Sequence, residues 1–225
     1  MSAGLFIAGT DTGVGKSLVA CALLHALAAR WPRVVGMKPV AAGAEFHQGQ
    51  WANEDALALR AASSIAVAPQ LDNPVLLPEP LSPHIAAARA GQVIDIATIT
   101  ASYRQLATLA DAVVVEGAGG WHVPLSDTHT GADLAQALGL PVLLVVGLRL
   151  GCLNHAALTA EAIAARGLPL AGWVANHLSP NMAAASENIA WLRQRLAVPL
   201  WAELPYQEAP NARALAAHFT LHTPF

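Results

Sequence analysis

Nine residues near the start of the chain, Gly9-Thr10-Asp11-Thr12-Gly13-Val14-Gly15-Lys16-Ser17, carry the densest chemical information in the sequence. They follow an apolar run, Leu5-Phe6-Ile7-Ala8, and precede a helix-like stretch. That order is a strand, a glycine-rich turn and a helix. In such a turn the backbone N–H groups curl around phosphate oxygens, and the helix N-terminus adds a partial positive charge. Lys16 is placed to reach the outer phosphates, and the Ser17 hydroxyl to ligate Mg²⁺. The chemistry implied is that of a nucleoside triphosphate. The usual spacing, G-x-x-x-x-G-K-[ST], puts Thr10 at its first position, with Gly9 one residue earlier, so the loop is one residue longer than standard.

Further polar residues follow short apolar runs. Glu116 ends Val113-Val114-Val115 and precedes Gly117-Ala118-Gly119-Gly120. A carboxylate there suits Mg²⁺, a hard cation that takes oxygen ligands, and the glycines let backbone approach a ligand. It reads alternatively as a helix cap or ion-pair partner. Asp55, in Asn53-Glu54-Asp55, reads equally as a metal ligand or a capping carboxylate. Lys38 follows Val34-Val35-Gly36-Met37; it either reaches solvent or supplies a second cation beside a γ-phosphate. Ser82-Pro83-His84 either binds a small ligand or caps a helix. Gly151-Cys152-Leu153-Asn154-His155 opens a helix whose N–H groups suit a carboxylate, with Asn154 as a plain N-cap the alternative.

The elements that must position these groups alternate in type. Strands are expected over 5–8, 34–37, 112–115, 142–146, 170–175 and 200–203, and helices over 16–29, 54–62, 94–110, 132–138, 153–166, 183–196 and 212–217. Val142-Leu143-Leu144-Val145-Val146 is continuously apolar, the mark of a strand buried on both faces of a parallel sheet. The repeated βα order predicts one doubly wound α/β domain over 1–225, with helices on both faces of a mostly parallel sheet. Ligands in that architecture sit beyond the carboxyl ends of the strands. That rule selects the glycine-rich turn, Lys38, Glu116, Gly147 with Leu150-Gly151, Asn176-His177 and Pro205-Tyr206. Residues 41–53 read as a loop, and 69–83, with five of the fifteen prolines, as a rigid extended excursion.

Composition narrows the function classes. The 225 residues are 55% hydrophobic and 12% charged, as expected of an alanine-rich chain or one with a large buried subunit interface. Twelve Lys+Arg against fifteen Asp+Glu give net −3, with no basic footprint for nucleic acid. Two distant cysteines, Cys21 and Cys152, suggest neither a disulfide framework nor a zinc site, but reduced thiols in a cytoplasmic protein. His218 and His222 stand four apart without a third ligand. The N-terminus lacks the pattern of a signal peptide, and the longest apolar run, 137–148, contains Pro141 and is too short to span a bilayer, so a soluble protein is expected.

Together these segments resemble the dethiobiotin synthetase family of biotin biosynthesis. The resemblance rests on the loop at 9–17, Lys38-Pro39-Val40, Asn53-Glu54-Asp55-Ala56-Leu57, Ser82-Pro83-His84 and Val115-Glu116-Gly117-Ala118-Gly119-Gly120. It extends to Pro124-Leu125-Ser126-Asp127, Leu150-Gly151-Cys152-Leu153-Asn154-His155 and Gly172-Trp173-Val174-Ala175-Asn176. The longer phosphate loop is itself a trait of that family. The resemblance implies a P-loop NTPase-like fold and an ATP- and Mg²⁺-dependent cyclo-ligase acting on 7,8-diaminopelargonate and CO₂. It implies Lys16 and Lys38 as catalytic, holding γ-phosphate and carbamate. Ser17, Asp55 and Glu116 would ligate Mg²⁺. Gly13, Val14, Gly15, Lys16, Ser17 and Leu18 would wrap the phosphates, with Gly117, Ala118 and Gly119 nearby, and Asn176, Pro205, Tyr206 and Gln207 would face adenine. Thr12 and Ser82 would touch the diamine. Gly151, Cys152, Leu153 and Asn154 would hold the substrate carboxylate across a homodimer. One departure stands out: Ala42 replaces the family's Ser or Thr.

Two other ATP-using classes fit less well. Amide-forming synthases of cobalamin synthesis generally carry a glutamine amidotransferase domain, for which 225 residues leave no room. MinD/ParA-like ATPases carry a lysine near the start of the phosphate loop, where this chain has Thr10 and Asp11, and often a basic or amphipathic tail. The tail here, Leu221-His222-Thr223-Pro224-Phe225, is not basic.

Overall fold

The computed structural model describes residues 2–47 and 49–222; Thr223, Pro224 and Phe225 of the tail lie outside the described residues. β1 (Ala3–Gly9) runs through the glycine-rich turn into α1 (Lys16–Ala28), and β2 (Val34–Met37) follows. Next come β3 (Val40–Ala42), β4 (Glu45–His47), β5 (Gln50–Ala52), α2 (Glu54–Ala62), α3 (Pro69–Asp72), β6 (Val75–Leu77) and α4 (Pro83–Ala90). The rest alternates: α5 (Ile96–Leu109), β7 (Ala112–Glu116), α6 (Gly131–Leu138), β8 (Val142–Leu148), α7 (Cys152–Ala165), β9 (Leu170–His177), α8 (Ala185–Leu196), β10 (Leu200–Leu204) and α9 (Ala212–Leu215).

Among the described residues, six strands form one sheet in the order β10-β9-β8-β1-β7-β2, every pair parallel. Alternate residues of the apolar strands face opposite layers. Phe6, Ala8, Val113, Val115, Leu144 and Val146 join the layer containing α4 to α8. Leu5, Ile7, Ala112, Val114, Leu143 and Val145 pack against α1, α2 and α9. This two-sided burial is the reason the strands read as unbroken apolar runs. Strand order reverses about β1, with β7 on one side and β8 on the other, so the crevice for ligands opens beyond the carboxyl ends of these three strands.

The six expected main-sheet strands are present. Two expected loops are structured, contrary to the sequence reading. Within 41–53, β4 and β5 form an antiparallel hairpin. Within 69–83, α3 forms and β6 pairs in parallel with β3. Short strands of three residues carry too little periodicity to stand out, and β3 and β6 form by meeting each other across 35 positions and packing with α4 into the core. α5 starts at Ile96 rather than 94, because Asp95 caps it by accepting from Ala97 N and Thr98 N.

Candidate active site

The phosphate loop owes its shape to glycines in the left-handed region. Gly13 has φ 73° and Gly15 φ 87°. A Cβ on Gly15 would also stand 2.2 Å from Asn176 Nδ2, which donates to Val14 O at 2.9 Å. Asn176, at the end of β9, therefore ties down the loop from the neighbouring strand. No described side chain caps α1, so its first-turn N–H donors face the loop, where phosphate oxygens would satisfy them.

Three oxygen-bearing residues converge below the loop. Ser17 Oγ lies 2.7 Å from Asp55 Oδ1 and 2.8 Å from Glu116 Oε1. Asp55 is free for this because Asn53 is the cap of α2, accepting from Asp55 N and Ala56 N. Glu116 is wholly buried at the end of β7, and its Oε2 has no hydrogen-bond partner among the described residues. An orphaned buried carboxylate oxygen beside a second carboxylate and a hydroxyl is a donor set that fits Mg²⁺. Among the described residues no cluster of three His, Cys, Asp or Glu competes as a metal site.

Lys38 is 5% exposed, not reaching for solvent. Its Nζ donates to Glu116 Oε1 at 2.6 Å and Asp55 Oδ2 at 3.0 Å. Burial works against its charge, but Glu116 and Asp55 outweigh it and hold its pKa above the usual lysine value. Asp55 is held below the usual carboxylate range: burial would raise it, and Lys38 and the Ser17 hydroxyl prevail. Lys16 differs. Its Nζ donates to Asp11 O at 3.0 Å, and burial, with the Lys38 charge beside it, brings its pKa down to about 8. An under-compensated buried ammonium at a helix start suits an incoming polyanion. Asp11 is itself paired with Arg149, which follows β8.

Other expected residues sort into two clefts. One, of about 520 Å³, is lined by Thr12, Lys38, Ala42, Asn53, Asp55, Ser82, Ala118 and Gly119 among others. Ser82 stands at the N-cap position of α4, yet its side chain makes no cap hydrogen bond among the described residues, so the hydroxyl faces the cleft unspent. The other, of about 630 Å³, is lined by His177, Ser179, Pro180, Glu203, Pro205, Tyr206 and His218. Gln207 is turned to a local task, accepting from Asn211 N at 2.9 Å. Gly151 (φ 95°) is the N-cap of α7, so Asn154 lies within the first turn and is not its cap. Cys152 is buried, whereas Gly151, Asn154 and Leu150 are exposed. Cys21, raised by burial to about 12, is no nucleophile. Sequence reasoning missed the Asp11–Arg149 pair and the Asn53 cap; an Asn two residues before the acidic position is the signal for the second.

Residues 3–213 match the model of a family described as AAA domain. The chain is 55% identical over 218 residues to the ATP-dependent dethiobiotin synthetase BioD of Aromatoleum aromaticum, covering 96% of each chain. It is 54% identical over 215 residues to the enzyme of that name from Xanthomonas euvesicatoria pv. vesicatoria, covering 94% of each. Among solved structures it resembles a ParA family ATPase from Chlorobium tepidum, with TM-score 0.56 and 14% identity over 92% of this chain and 86% of that one. It also resembles the septum site-determining protein MinD of Pyrococcus horikoshii, complexed with Mg-ADP, with TM-score 0.56 and 17% identity over 92% and 82%. At such identities the likeness is one of fold. The relatives at 54–55% identity span nearly the whole chain, and this protein belongs to the dethiobiotin synthetase family of ATP-dependent ligases.

Proposed function

We propose that the protein joins CO₂ to 7,8-diaminopelargonate and closes the ureido ring of dethiobiotin, converting ATP to ADP and phosphate, as a homodimer. The observation that carries this reading is the position of Lys38 Nζ. It lies against both candidate metal-binding carboxylates and lines the cleft that also holds Thr12 and Ser82. A group there meets a γ-phosphate from the loop side and a small substrate from the cleft side.

In this reading the N–H groups of Gly13, Val14, Gly15, Lys16, Ser17 and Leu18 bind phosphate oxygens. Ser17, Asp55 and Glu116 would hold Mg²⁺, whose positive charge would offset that of the phosphates. One amine of the diamine adds to CO₂ and loses a proton, giving a carbamate. A carbamate oxygen attacks the γ-phosphorus, the bond to ADP breaks, and a carbamic-phosphoric anhydride forms. The second amine attacks its carbonyl carbon and expels phosphate. Lys16 leaves Asp11 O for the phosphates, and Lys38 stabilises charge on the transferred group. The cleft by His177, Pro205 and Tyr206 takes the adenine, and the exposed start of α7 binds the carboxylate of substrate held by the partner subunit.

The test is ADP release from purified protein with ATP, Mg²⁺ and bicarbonate, with and without 7,8-diaminopelargonate. Diamine-dependent release with a matching amount of dethiobiotin by mass is the expected result. ATP binding without stimulation by diamine would sink the substrate assignment and leave the nucleotide site.

A further inference from the structure

The chain contains two lysines, Lys16 and Lys38, and both stand in the site. The backbone of Lys38 has no place in the main sheet: the β2–β7 ladder ends at Met37 opposite Val115. Its peptide is held instead by a segment more than thirty residues away. Lys38 N donates to Asp72 O at 2.7 Å. Asn73 Nδ2 donates to Lys38 O at 2.7 Å, with a longer contact to Val75 O at 3.3 Å. Val75 N then donates to Pro39 O at 3.1 Å.

This grip is braced. Asp72 is 4% exposed, and its carboxylate takes a two-pronged bond from Arg60, Nε to Oδ2 at 2.7 Å and Nη2 to Oδ1 at 2.6 Å. A bidentate guanidinium–carboxylate pair fixes orientation as well as distance. Arg60 lies on α2, whose first turn also supplies Asp55 to Lys38 Nζ. One helix thus fixes both ends of the same lysine, the head through Asp55 and the backbone through Asp72.

We propose that Asn73, braced by the Arg60–Asp72 pair, is a positioning residue for Lys38. It pins the Lys38 peptide so that Nζ stands between the two carboxylates and the transferred phosphate. A turn-stabilising role alone needs only the bond to Val75 O; the shorter bond goes to Lys38 O. The proposal rests on the reading above that Lys38 acts on the transferred group.

Two variants test it: Asn73→Ala, and Asn73→Asp, which keeps the shape and removes the donor. Trace acetylation followed by mass spectrometry reads Lys38 against Lys16, the internal standard, with no substrate present. Both variants are expected to raise the labelling of Lys38 relative to Lys16 several-fold. The kcat for diamine-dependent ADP release should fall about 10- to 100-fold, as for misplacement by an ångström or less. KM for ATP should stay within about twofold, because the phosphate loop is untouched. A wild-type labelling ratio with wild-type kcat in Asn73→Asp overturns the proposal, as does a loss of kcat matched by the unfolded fraction. If Asn73→Ala fails to fold, Asn73→Asp decides. If the wild type shows no diamine-dependent turnover, the functional reading falls, and the labelling ratio alone decides whether Asn73 positions Lys38.

Discussion

Lys38 offsets two carboxylates at once, and that sets what its loss should do. In Lys38→Met, Glu116 is left buried beside Asp55 without its cation. Removing one partner of such a pair costs about 3 kcal/mol. Mg²⁺ should recover part of that loss, because it would take the place of the missing charge between the same oxygens. Urea denaturation with and without Mg²⁺ measures this; an equal effect of Mg²⁺ on variant and wild type would count against Ser17, Asp55 and Glu116 as ligands. Ala42 is the second residue-scale case. It lines the cleft beside Lys38 and Asn53 without a hydroxyl. Ala42→Ser restores one neutral hydrogen bond, worth about 0.5–1.5 kcal/mol, so KM for the diamine should fall roughly 2- to 10-fold with kcat unchanged. No change in KM would remove Ala42 from the substrate's path.

At the scale of the element, two glycines of one turn should respond differently. Gly13 has positive φ but open space where a Cβ would go, so Gly13→Ala meets backbone strain alone, about 1 kcal/mol. Gly15→Ala adds a collision with Asn176 Nδ2 at 2.2 Å. It should destabilise by more than about 2 kcal/mol and abolish ATP binding, since loop and β9 must separate. Similar ATP affinity in the two variants would contradict this. The start of α6 gives a pH dependence. Asp133 accepts from Thr130 N and Oγ1 and from Arg166, and although burial alone would raise its pKa, these bonds bring it down to about 2. A depressed carboxylate stabilises the fold above its unfolded pKa, near 3.8, and loses that effect as pH falls through its folded value. Asp133→Ala should therefore cost about 1–2 kcal/mol at neutral pH. Denaturation curves of variant and wild type should converge between about pH 4 and pH 2.

At the scale of the whole molecule, the start and outer face of α7 present apolar surface. Leu150 is fully exposed just before Gly151, where no described side chain caps the helix, and Leu158, about two turns along, is 57% exposed. In a homodimer this surface would meet the partner and bring the helix start to the partner's cleft. The double variant Leu150→Asp, Leu158→Glu should sediment as a monomer, bind ATP as the wild type does, and show a raised KM for the diamine. A dimer that persists with an unchanged KM would rule out this face as the route between subunits.

Local patterns in the chain determined much of this. The phosphate loop was legible because its glycines and Lys16-Ser17 act within nine residues, and the main-sheet strands because burial on both faces leaves continuous apolar runs. Candidate residues at strand ends followed from the rule for parallel sheets. Their roles did not follow, since Asp55, Lys38, Ser82 and Asn154 each had a capping or surface alternative of equal local merit, and Glu116 a lesser one. Tertiary structure brought together groups far apart in sequence. Ser17 meets Glu116 across 99 positions, Lys38 meets Glu116 across 78, and Asn176 meets Val14 across 162. It also decided the β3–β6 pairing and the hold of Asn73 on Lys38. Strand order governs such meetings, and strand order is a property of the packed sheet, not of any window of sequence.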